Sequence, residues 1–530
     1  MKPFQSRLDS DSLRLRRAAM LEKWETIQDL QGRAAHASAK KKARFEERGQ
    51  LPPRERVRQL LDPGTELLHL CSLAGFDMHD DGEVGGGGSV AGLGRIEGRR
   101  CLVLANDSGI KGGSISPSGL RKTLRMQEIA LRQRLPLVYL VESGGANLMY
   151  QAELFVEGGR SFANQARLSA AGVPQIAIVH GSSTAGGAYL PGLSDYVVLV
   201  KKRSKVFLAG PPLVKAALGE EANDEELGGS HLHAKETGLG EYLAQDDEDA
   251  LAIARRIVRT WGPAESEAKD APEPRYDPEE LLGVFPESDR TPLDVREVLL
   301  RLVDGSEFLE FKAGFGAETV CAHADLGGFR VGLLGNNGPI RPAGSQKAAQ
   351  FIQLCERSDT ALVFLQNTTG YMVGKAAERA GAIKHGSKMI QAVANARVPR
   401  LTIILGGSYG AGNYGMCGRG FDPDFIFAWP TARTAVMGPQ QAAEVMKTIT
   451  RAKFERDGLD LDESALEAMS GALREQLERE STAVFGSSRL WDDGIIDPRR
   501  TREVLMETLA VTRSREARAQ RRLPFGLPRF

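Results

Sequence analysis

The chain has 530 residues, 42% of them hydrophobic and 26% charged, and its 69 Lys and Arg residues balance 69 Asp and Glu residues. This length predicts two or more domains, and zero net charge argues against nucleic-acid binding driven by bulk electrostatics. No apolar run approaches the roughly 18 residues of a membrane span. The 5 cysteines are scattered, and the N-terminus lacks the apolar core of a secretory signal, so a cytoplasmic location is expected.

The residue pattern divides the chain into four predicted segments. Residues 1–60 are polar and loosely helical, and their basic run Lys40–Arg48 is either a solvated helix face or a binding surface for an acidic partner. Residues 61–262 alternate short apolar runs with helical stretches, the pattern of strands joined by crossover helices. Residues 263–292 are rich in Pro and acidic residues, which predicts an interdomain linker, and the alternation resumes over residues 293–530.

The two alternating segments match each other. Residues 136–187 fall on residues 361–412 without a gap, and 13 of the 52 paired positions are identical, including Val173-Pro174 with Val398-Pro399. Such a repeat indicates a duplicated architecture. The sequence therefore predicts two tandem copies of one α/β domain.

Each copy carries glycine-rich turns at the ends of two apolar strands. One pair of turns is Gly181–Gly187 with Gly406–Gly412, and the other is Glu142–Ala146 with Asn367–Tyr371. If a helix starts in such a turn, its free N–H groups can stabilise a developing oxyanion. The alternative is that small residues only permit close helix–strand packing.

Familiar side-chain motifs are missing from the sequence. It contains no G-x-x-x-x-G-K-[ST] and no H-E-x-x-H. His231 and His233 fit a polar loop better than a metal site, because no Cys or third His is near them, and no metal is predicted. The candidate site thus consists of backbone amides without an evident side-chain acid, base or nucleophile.

Long strings in both copies resemble the carboxyltransferase β subunits of biotin-dependent acyl-CoA carboxylases, in the methylcrotonyl-CoA and geranyl-CoA branch. The resemblance covers essentially the whole chain. The strings are LVESGGANL (140–148), NQARLSAAGVPQIA (164–177), STAGGAYLPGLSD (183–195), FLAGPPLVKAALGEE (207–221), GNNGPI (335–340), KAAQFIQLC (347–355), IKHGSKMIQAVANARVP (383–399) and GGSYGAGNYGMCGR (406–419).

The resemblance implies a fold and a reaction. Each copy would be a crotonase-like domain, the N-terminal one on the acyl-CoA side and the C-terminal one on the biotin side. A partner α subunit, which uses ATP and bicarbonate, would deliver carboxybiotin as the source of the carboxyl group and of the base. The active site would need two β subunits, within a hexamer and an α6β6 assembly, with no nucleic acid or membrane involved.

The resemblance also assigns roles to residues of this chain. The catalytic oxyanion donors would be Gly186 and Gly187 for the thioester and Ala411 and Gly412 for biotin. Acyl-CoA binding is expected at Gly144, Gly145, Ala146, Ala163, Ala185, Arg121, Lys122, Asn336, Asn337 and Gly338, with Arg125 beside the two cations as a further phosphate contact. Biotin binding is expected at Thr369, Gly370, Tyr371, Tyr409, Gly410 and Asn413.

One departure from the family pattern concerns the acyl chain. Methylcrotonyl-CoA carboxylases commonly have Phe where this chain has Ala163, before the Asn-Gln-Ala-Arg string, so a larger, geranyl-type acyl group is plausible. The alternatives are a propionyl-CoA-type carboxylase, a biotin-dependent decarboxylase subunit, a crotonase-type hydratase or hydrolase, and a non-enzymatic scaffold, against which the intact turns in both copies argue. The hydratase would need a carboxylate, for which Glu142 is the one candidate beside a glycine turn.

Overall fold

A computed structural model describes residues 4–78, 82, 84–261, 271–286, 292–515 and 518. Its contacts divide the chain into two compact units. We call residues 28–267, 488–490 and 511–530 the N unit, and residues 1–27, 268–487 and 491–510 the C unit. No helix among the described residues is long and apolar enough to cross a membrane.

Each unit is built on one mixed sheet. In the N unit the strand order is β1-β2-β3-β5-β7-β8-β10, with β9 paired to β7, and β4 and β6 form a separate pair. In the C unit the order is β11-β12-β13-β14-β15-β16, with β17 paired to β15. The strands are β1 (Leu68–His69), β2 (Ser89–Ile96), β3 (Arg99–Asn106), β4 (Ser114–Ile115), β5 (Leu137–Ser143), β6 (Gly145–Ala146), β7 (Gln175–Thr184), β8 (Tyr196–Val200), β9 (Lys205–Phe207), β10 (Tyr242–Ala244), β11 (Phe308–Glu310), β12 (Thr319–Leu326), β13 (Phe329–Asn336), β14 (Ala361–Thr368), β15 (Arg400–Tyr409), β16 (Phe425–Ala428) and β17 (Arg433–Ala435).

Helices connect and cover these strands. The α-helices are α1 (Ser10–Ala39), α2 (Lys42–Glu47), α3 (Pro53–Leu60), α4 (Pro117–Gln133), α5 (Gln151–Ala170), α6 (Tyr189–Leu193), α7 (Pro211–Leu218), α8 (Asp224–Gly228), α9 (Ser230–Lys235), α10 (Asp247–Arg259), α11 (Leu281–Val284), α12 (Val295–Leu300), α13 (Pro342–Arg357), α14 (Lys375–Arg379), α15 (Ala382–Asn395), α16 (Gly410–Gly415), α17 (Pro439–Asp457), α18 (Glu463–Glu480), α19 (Ala483–Ser488) and α20 (Thr501–Arg513). Short 3-10 helices lie at Gly86–Gly88, Lys111–Gly113, Leu148–Tyr150, Ala185–Ala188, Pro278–Glu280, Asp304–Ser306, Arg419–Phe421 and Pro498–Arg500.

The duplication is visible residue by residue. Strands β7 and β15 occupy the same ten positions at an offset of 225 residues, and α4 and α13 begin at the matching prolines Pro117 and Pro342. Even the register irregularity is repeated, between Val141 and Ser143 in β5 and between Gln366 and Thr368 in β14. The predicted α/β class with two tandem copies is therefore confirmed.

The central strands of each sheet are parallel and buried. β3, β5, β7 and β8 are parallel neighbours, as are β13, β14, β15 and β16, and the crossover helices cover the central strands of each sheet. All seven residues of β5 are buried, which explains why it reads as a continuous apolar run. In such sheets, ligand sites form beyond the carboxyl ends of parallel strands. The glycine turns stand at those ends in both units.

The division into units does not follow the predicted segment limits at the chain ends. Helix α1 begins in the part counted with the C unit and ends in the part counted with the N unit. Of the predicted linker, residues 263–270 and 287–291 lie outside the described residues, while α11 within it has all four residues buried. The predicted boundaries at 60, 262 and 292 therefore stay a prediction.

Candidate active site

In the N unit, the turn after β7 starts a short helix. Thr184 is its N-cap residue, and its side chain makes no capping hydrogen bond. Ala185, Gly186 and Gly187 form the first turn, where N–H groups have no acceptor within the helix. Ala185 has a φ of 54°, unusual for alanine, which turns the chain sharply from strand to helix.

The C unit repeats this geometry. Tyr409 is the N-cap residue of α16, again without a capping hydrogen bond from its side chain, and Gly410, Ala411 and Gly412 form the first turn. Gly410 also has a φ of 54°, and it stands 225 residues after Ala185. The pairs Gly186–Gly187 and Ala411–Gly412 therefore occupy the same second and third helical positions.

A hydroxyl group at the end of the neighbouring strand, β5 or β14, stabilises the second glycine turn of each unit, which contains Gly145 or Gly370. The Ser143 hydroxyl donates to the Gly113 carbonyl (3.3 Å) and accepts from the Gly145 N–H (3.1 Å). Thr368 does the same in the C unit, donating to Gly338 O (3.1 Å) and accepting from Gly370 N (3.2 Å).

Ser143, Thr368 and Gly113 are not among the site residues predicted from the sequence. The 225-residue offset was the signal that could have found them, because it pairs Ser143 with Thr368 and Gly113 with Gly338. Both glycines of the second pair have positive φ values, 76° and 139°.

The second predicted turn lies against the first in each unit. A Cβ built on Gly145 would lie 3.5 Å from the Thr184 carbonyl oxygen, and one built on Gly370 would lie 3.5 Å from that of Tyr409. Gly144 and Ala146 are exposed beside Gly145, and Thr369 is exposed beside Gly370. The structure thus brings the two turns of each copy together.

Tyr371 differs from its neighbours. Its ring packs against Gly386 and Gly415, where an added Cβ would lie 3.3 Å and 2.2 Å from ring or hydroxyl atoms, and it adjoins the core cluster around Phe351. Burial raises the pKa of its hydroxyl. The side chain thus supports α15 and α16 from inside the unit, which argues against the predicted contact of its ring with biotin.

A cavity of about 520 Å³ adjoins the Gly410–Gly412 turn. Mostly apolar side chains, including Ile404, Val436 and Trp491, line it together with Gly410, Ala411 and Asn413. The Asn413 amide donates to the Ser408 hydroxyl (2.8 Å), so its orientation is fixed.

One carboxyl group also lines this cavity. Asp492 is 3% exposed, and its Oδ1 atom has no hydrogen-bond partner among the described residues. Burial raises its pKa to about 7, and the adjacent Asp493 carboxylate adds to the shift. Asp492 lies far along the chain from the glycine turns, so no pattern in the sequence indicated that it lines this cavity.

Glu142 is engaged in a buried ion pair. Its Oε2 atom accepts from Arg56 Nη1 at 2.7 Å, with both side chains almost fully buried, and its Oε1 atom accepts from Gln50 Nε2 at 3.3 Å. The neighbouring His180 bonds Asp247 through Nδ1 (2.8 Å), and burial lowers its pKa to about 4. This arrangement holds the end of β5 in place and argues against Glu142 as a free acid or base of a hydratase.

The structure corrects the expectation that Lys122 meets a phosphate. Its side chain is 1% exposed, and Nζ donates to the carbonyls of Ser89 (2.8 Å) and Gly86 (3.1 Å). Burial lowers its pKa to about 8. Arg125 is also buried and pairs with Glu128 (2.9 Å), whereas Arg121 is exposed at the start of α4.

Residues 336–338 lie in the C unit, at the end of β13. Asn336 is fully buried, and the Asn337 side chain accepts from Val295 N (2.8 Å) and donates to Asp294 (2.9 Å). The Asn337 side chain is thus committed to the start of α12, and the Asn336 amide donates to Met416 Sδ (3.5 Å), which corrects the predicted role of both side chains in binding acyl-CoA. Gly338 instead contributes its carbonyl to Thr368, beside the Gly370 turn.

Ala163 lies half-buried on α5. The residue before it, Phe162, approaches the Gly186 turn, because a Cβ built on Gly186 would lie 3.5 Å from Phe162 Cζ. The Phe162 ring also contacts Tyr189, with 5.6 Å between ring centroids. An aromatic ring therefore stands beside this turn one residue earlier than the family pattern has it.

His233, one of the two histidines considered for a metal, is bonded elsewhere. His233 contacts Thr237 Oγ1 (2.9 Å) and the Val206 carbonyl (2.6 Å) through its two ring nitrogens. Within the described part of the chain, no group of three or more His, Cys, Asp or Glu residues is arranged to hold a metal ion.

Comparison with known proteins identifies the family. The chain matches the carboxyl transferase domain over residues 44–523. It is 52% identical over 468 residues to the probable biotin-dependent acyl-coenzyme A carboxylase beta2 subunit of Mycobacterium tuberculosis, covering 87% of each chain. It is 49% identical over 464 residues to the biotin-dependent 3-methylcrotonyl-coenzyme A carboxylase beta1 subunit of the same organism, covering 86% of this chain and 88% of that protein.

A solved structure gives the same result over the whole fold. The crystal structure of the P. aeruginosa geranyl-CoA carboxylase beta subunit matches with a TM-score of 0.93 and 54% identity, covering 100% of both chains. The duplicated sheets, the paired glycine turns and these similarities agree. The chain belongs to the carboxyl transferase domain family and is an enzyme subunit of the biotin-dependent acyl-CoA carboxylase beta type.

Proposed function

We propose that this chain transfers a carboxyl group from carboxybiotin to the acyl group of an acyl-CoA of the 3-methylcrotonyl or geranyl type. The observation that carries the proposal is the pair of uncapped first turns, at Gly186–Gly187 and Ala411–Gly412, in matching positions of the two units. Two sites of the same design fit a reaction in which two oxygens gain negative charge.

The N unit would bind the thioester. The N–H groups of Gly186 and Gly187 would hold the thioester oxygen as negative charge develops on it, because the first turn of a helix presents unpaired donors and a positive dipole end. Ser143 keeps the adjoining turn in place through Gly145. Removing one such donor typically costs on the order of 3 kcal/mol in the activation barrier.

The C unit would bind biotin. The cavity of about 520 Å³ beside Ala411 is within the range of small-molecule sites, and its mostly apolar lining also carries polar side chains such as Ser408 and Asn413, which fits a bicyclic ring with one polar edge. Ala411 and Gly412 N–H groups would hold the ring oxygen, with Thr369, Gly370, Tyr409, Gly410 and Asn413 around it. Biotin supplies the carboxyl group and the base when bound.

The steps that load biotin with a carboxyl group are assigned to a partner subunit. We assign the use of ATP and bicarbonate, and the attachment of biotin, to an α subunit, and we propose a β hexamer within an α6β6 assembly. A cytoplasmic location goes with this proposal, although several relatives are named as mitochondrial. Light scattering of the purified β subunit, alone and with α subunit, tests the assembly.

An acyl-CoA panel tests the activity. The holoenzyme, reconstituted with a biotinylated α subunit, is assayed with 3-methylcrotonyl-CoA, geranyl-CoA and propionyl-CoA. Carboxylation of either branched substrate supports the proposal, and a preference for geranyl-CoA supports the larger pocket inferred from Ala163. Failure to carboxylate any of the three, with an α subunit that still carboxylates its own biotin, would refute it.

Phe162 offers the matched variant for chain length. We expect Phe162→Ala to change the ratio of kcat/KM values between geranyl-CoA and 3-methylcrotonyl-CoA, since its ring contacts the Gly186 turn. Phe155→Ala serves as the control on the same helix, because the Phe155 side chain is 85% exposed.

A further inference from the structure

The basic run Lys40–Arg48 has a place beside the candidate site. Its cations Lys41, Arg44 and Arg48 line a cavity of about 330 Å³ in the N unit. The cavity is also lined by Ser182 and Thr184 of β7, which leads into the Gly186 turn, and by Ser143 and Gly144 at the end of β5. The cavity therefore connects the proposed thioester site to a cationic surface.

We propose that Lys41, Arg44 and Arg48 bind the phosphate groups of the acyl-CoA substrate. This inference rests on the proposed function and adds a recognition site for the polar end of the substrate. The spacing, pairing and anchoring of the three cations support this role.

The spacing puts the three cations on one side of α2. Arg44 lies within this helix and Lys41 and Arg48 are its cap residues, and positions three and four residues apart align along one side of a helix. All three residues are exposed, and none forms an ion pair with a described residue. Lys42, one position along, instead pairs with Glu46 at 3.5 Å. The face toward the cavity is thus the one with unneutralised charge.

The short helix α2 is fixed to the strand ends. Phe45 is buried, and the Arg56 guanidinium lies 6.0 Å from its ring centroid. Arg56 in turn binds Glu142 at 2.7 Å. The Gln50 N–H donates to the Phe45 carbonyl (2.8 Å), and its side chain donates to the His180 carbonyl (2.9 Å). These contacts hold the cations at a set position relative to the turn that follows β5.

The charge of the cavity suits a polyanion. Glu142 is the one carboxylate in the described lining, and Arg56 balances its charge from behind. The three cations therefore give the cavity a net positive charge. Arg and Lys bind phosphate oxygens through short, charge-assisted hydrogen bonds. Among the parts of an acyl-CoA, the diphosphate and the 3′-phosphate carry the negative charge, and both are candidates for this surface.

Binding measurements on the full-length β subunit test the inference. The triple variant Lys41→Ala, Arg44→Ala, Arg48→Ala is compared with wild type and with Lys42→Ala, titrating CoA, 3′-dephospho-CoA and pantetheine. We expect the triple variant to bind CoA at least about tenfold more weakly, while pantetheine, which lacks these phosphates, binds equally to all three proteins. The affinity of wild type for CoA also falls with added salt, more steeply than that of the triple variant.

The analogue separates the two phosphate positions. If the triple variant and wild type bind 3′-dephospho-CoA with equal affinity, the three cations bind the 3′-phosphate. If the triple variant still binds this analogue more weakly, they bind the diphosphate. In the holoenzyme the triple variant should raise KM for the acyl-CoA and leave kcat within about twofold, since bound substrate reacts elsewhere.

Three outcomes would overturn the inference. Unchanged CoA affinity in the triple variant would leave the proposed function intact but remove this role from the cations. Unchanged CoA affinity together with lost association of the α subunit would assign the surface to an acidic protein partner. No CoA binding by wild type would refute the proposed function, and this inference with it.

Discussion

The two first turns differ in the space around their third residue, which predicts losses of kcat of different size for the same glycine-to-alanine substitution. A Cβ on Gly187 would meet Ser143 Oγ at 3.6 Å, an ordinary contact. A Cβ on Gly412 would meet the Gly370 Cα at 2.8 Å and Thr368 Cγ2 at 3.1 Å. Neither glycine has a φ in the left-handed region, so alanine is tolerated by the backbone at both positions.

The size of the effect follows from this contact. Carbon atoms pack at about 3.5–4.0 Å, so relief of the Gly412→Ala contact needs a shift of roughly 0.7 Å between two backbone segments. Overpacking of this kind costs about 1–3 kcal/mol. The shift also moves the N–H group of residue 412, and loss of a well-placed donor reduces kcat by about 10²–10³. We expect Gly412→Ala to lose about 10–100-fold in kcat and Gly187→Ala less than about threefold.

The assay uses the reconstituted holoenzyme at saturating acyl-CoA, with thermal unfolding of each variant measured in parallel. ADP–ATP exchange by the α subunit serves as the control that the partner reaction is unaffected. Wild-type kcat in Gly412→Ala, or an equal loss in Gly187→Ala, would refute the reasoning from these contacts.

Three further predictions concern buried charges. Lys122→Met should lower the thermal midpoint, since two carbonyls lose their donor, and leave KM for acyl-CoA unchanged in the folded protein. Glu142→Gln should cost about 3 kcal/mol in stability by leaving the Arg56 charge underpaired, with kcat changed less than about tenfold. Asp492→Asn should raise the thermal midpoint more at pH 8 than at pH 5. The folded protein holds a proton on Asp492 between about pH 4 and 7 that the unfolded chain releases, so this group lowers stability as pH rises through that window.

Each of these has a result that would contradict it. A higher KM with an unchanged thermal midpoint in Lys122→Met would restore its role toward phosphate, and Arg121→Ala is the exposed comparison. A loss in Glu142→Gln of about 10²-fold or more, without loss of stability, would favour general acid–base catalysis by this residue. An equal shift of the thermal midpoint at both pH values would remove Asp492 as the titrating group.

Several features of the site were predictable because they depend on local sequence. The strand ends and helix starts at Thr184 and Tyr409 follow from apolar runs that stop at small residues, and the repeat paired them without any structure. The same pairing predicted a glycine turn next to each, and the structure places Gly145 and Gly370 there. Local pattern and duplication together thus located both candidate half-sites.

The predictions made from the sequence were wrong for several charged and polar side chains. Lys122 stands near the start of a helix, where a cation is ordinarily exposed, and only the carbonyls of Gly86 and Ser89, folded against it, make it a buried donor. Asn337 likewise resembles a loop residue until Val295 is folded against it. In both cases the partner is more than thirty residues away, and no local pattern records it.

The sequence by itself determined that this protein is a duplicated α/β chain with backbone-amide turns at matching strand ends, since periodicity and small residues act over a few positions. Only the tertiary structure decided which charged side chains are buried or paired and which can contact a ligand. It buries Lys122, pairs Glu142 with Arg56 across 86 residues, and leaves Lys41, Arg44 and Arg48 facing a cavity. The physical reason is that the free energy of a charge depends on its solvation and on its partners, and both are set by segments far apart in the chain.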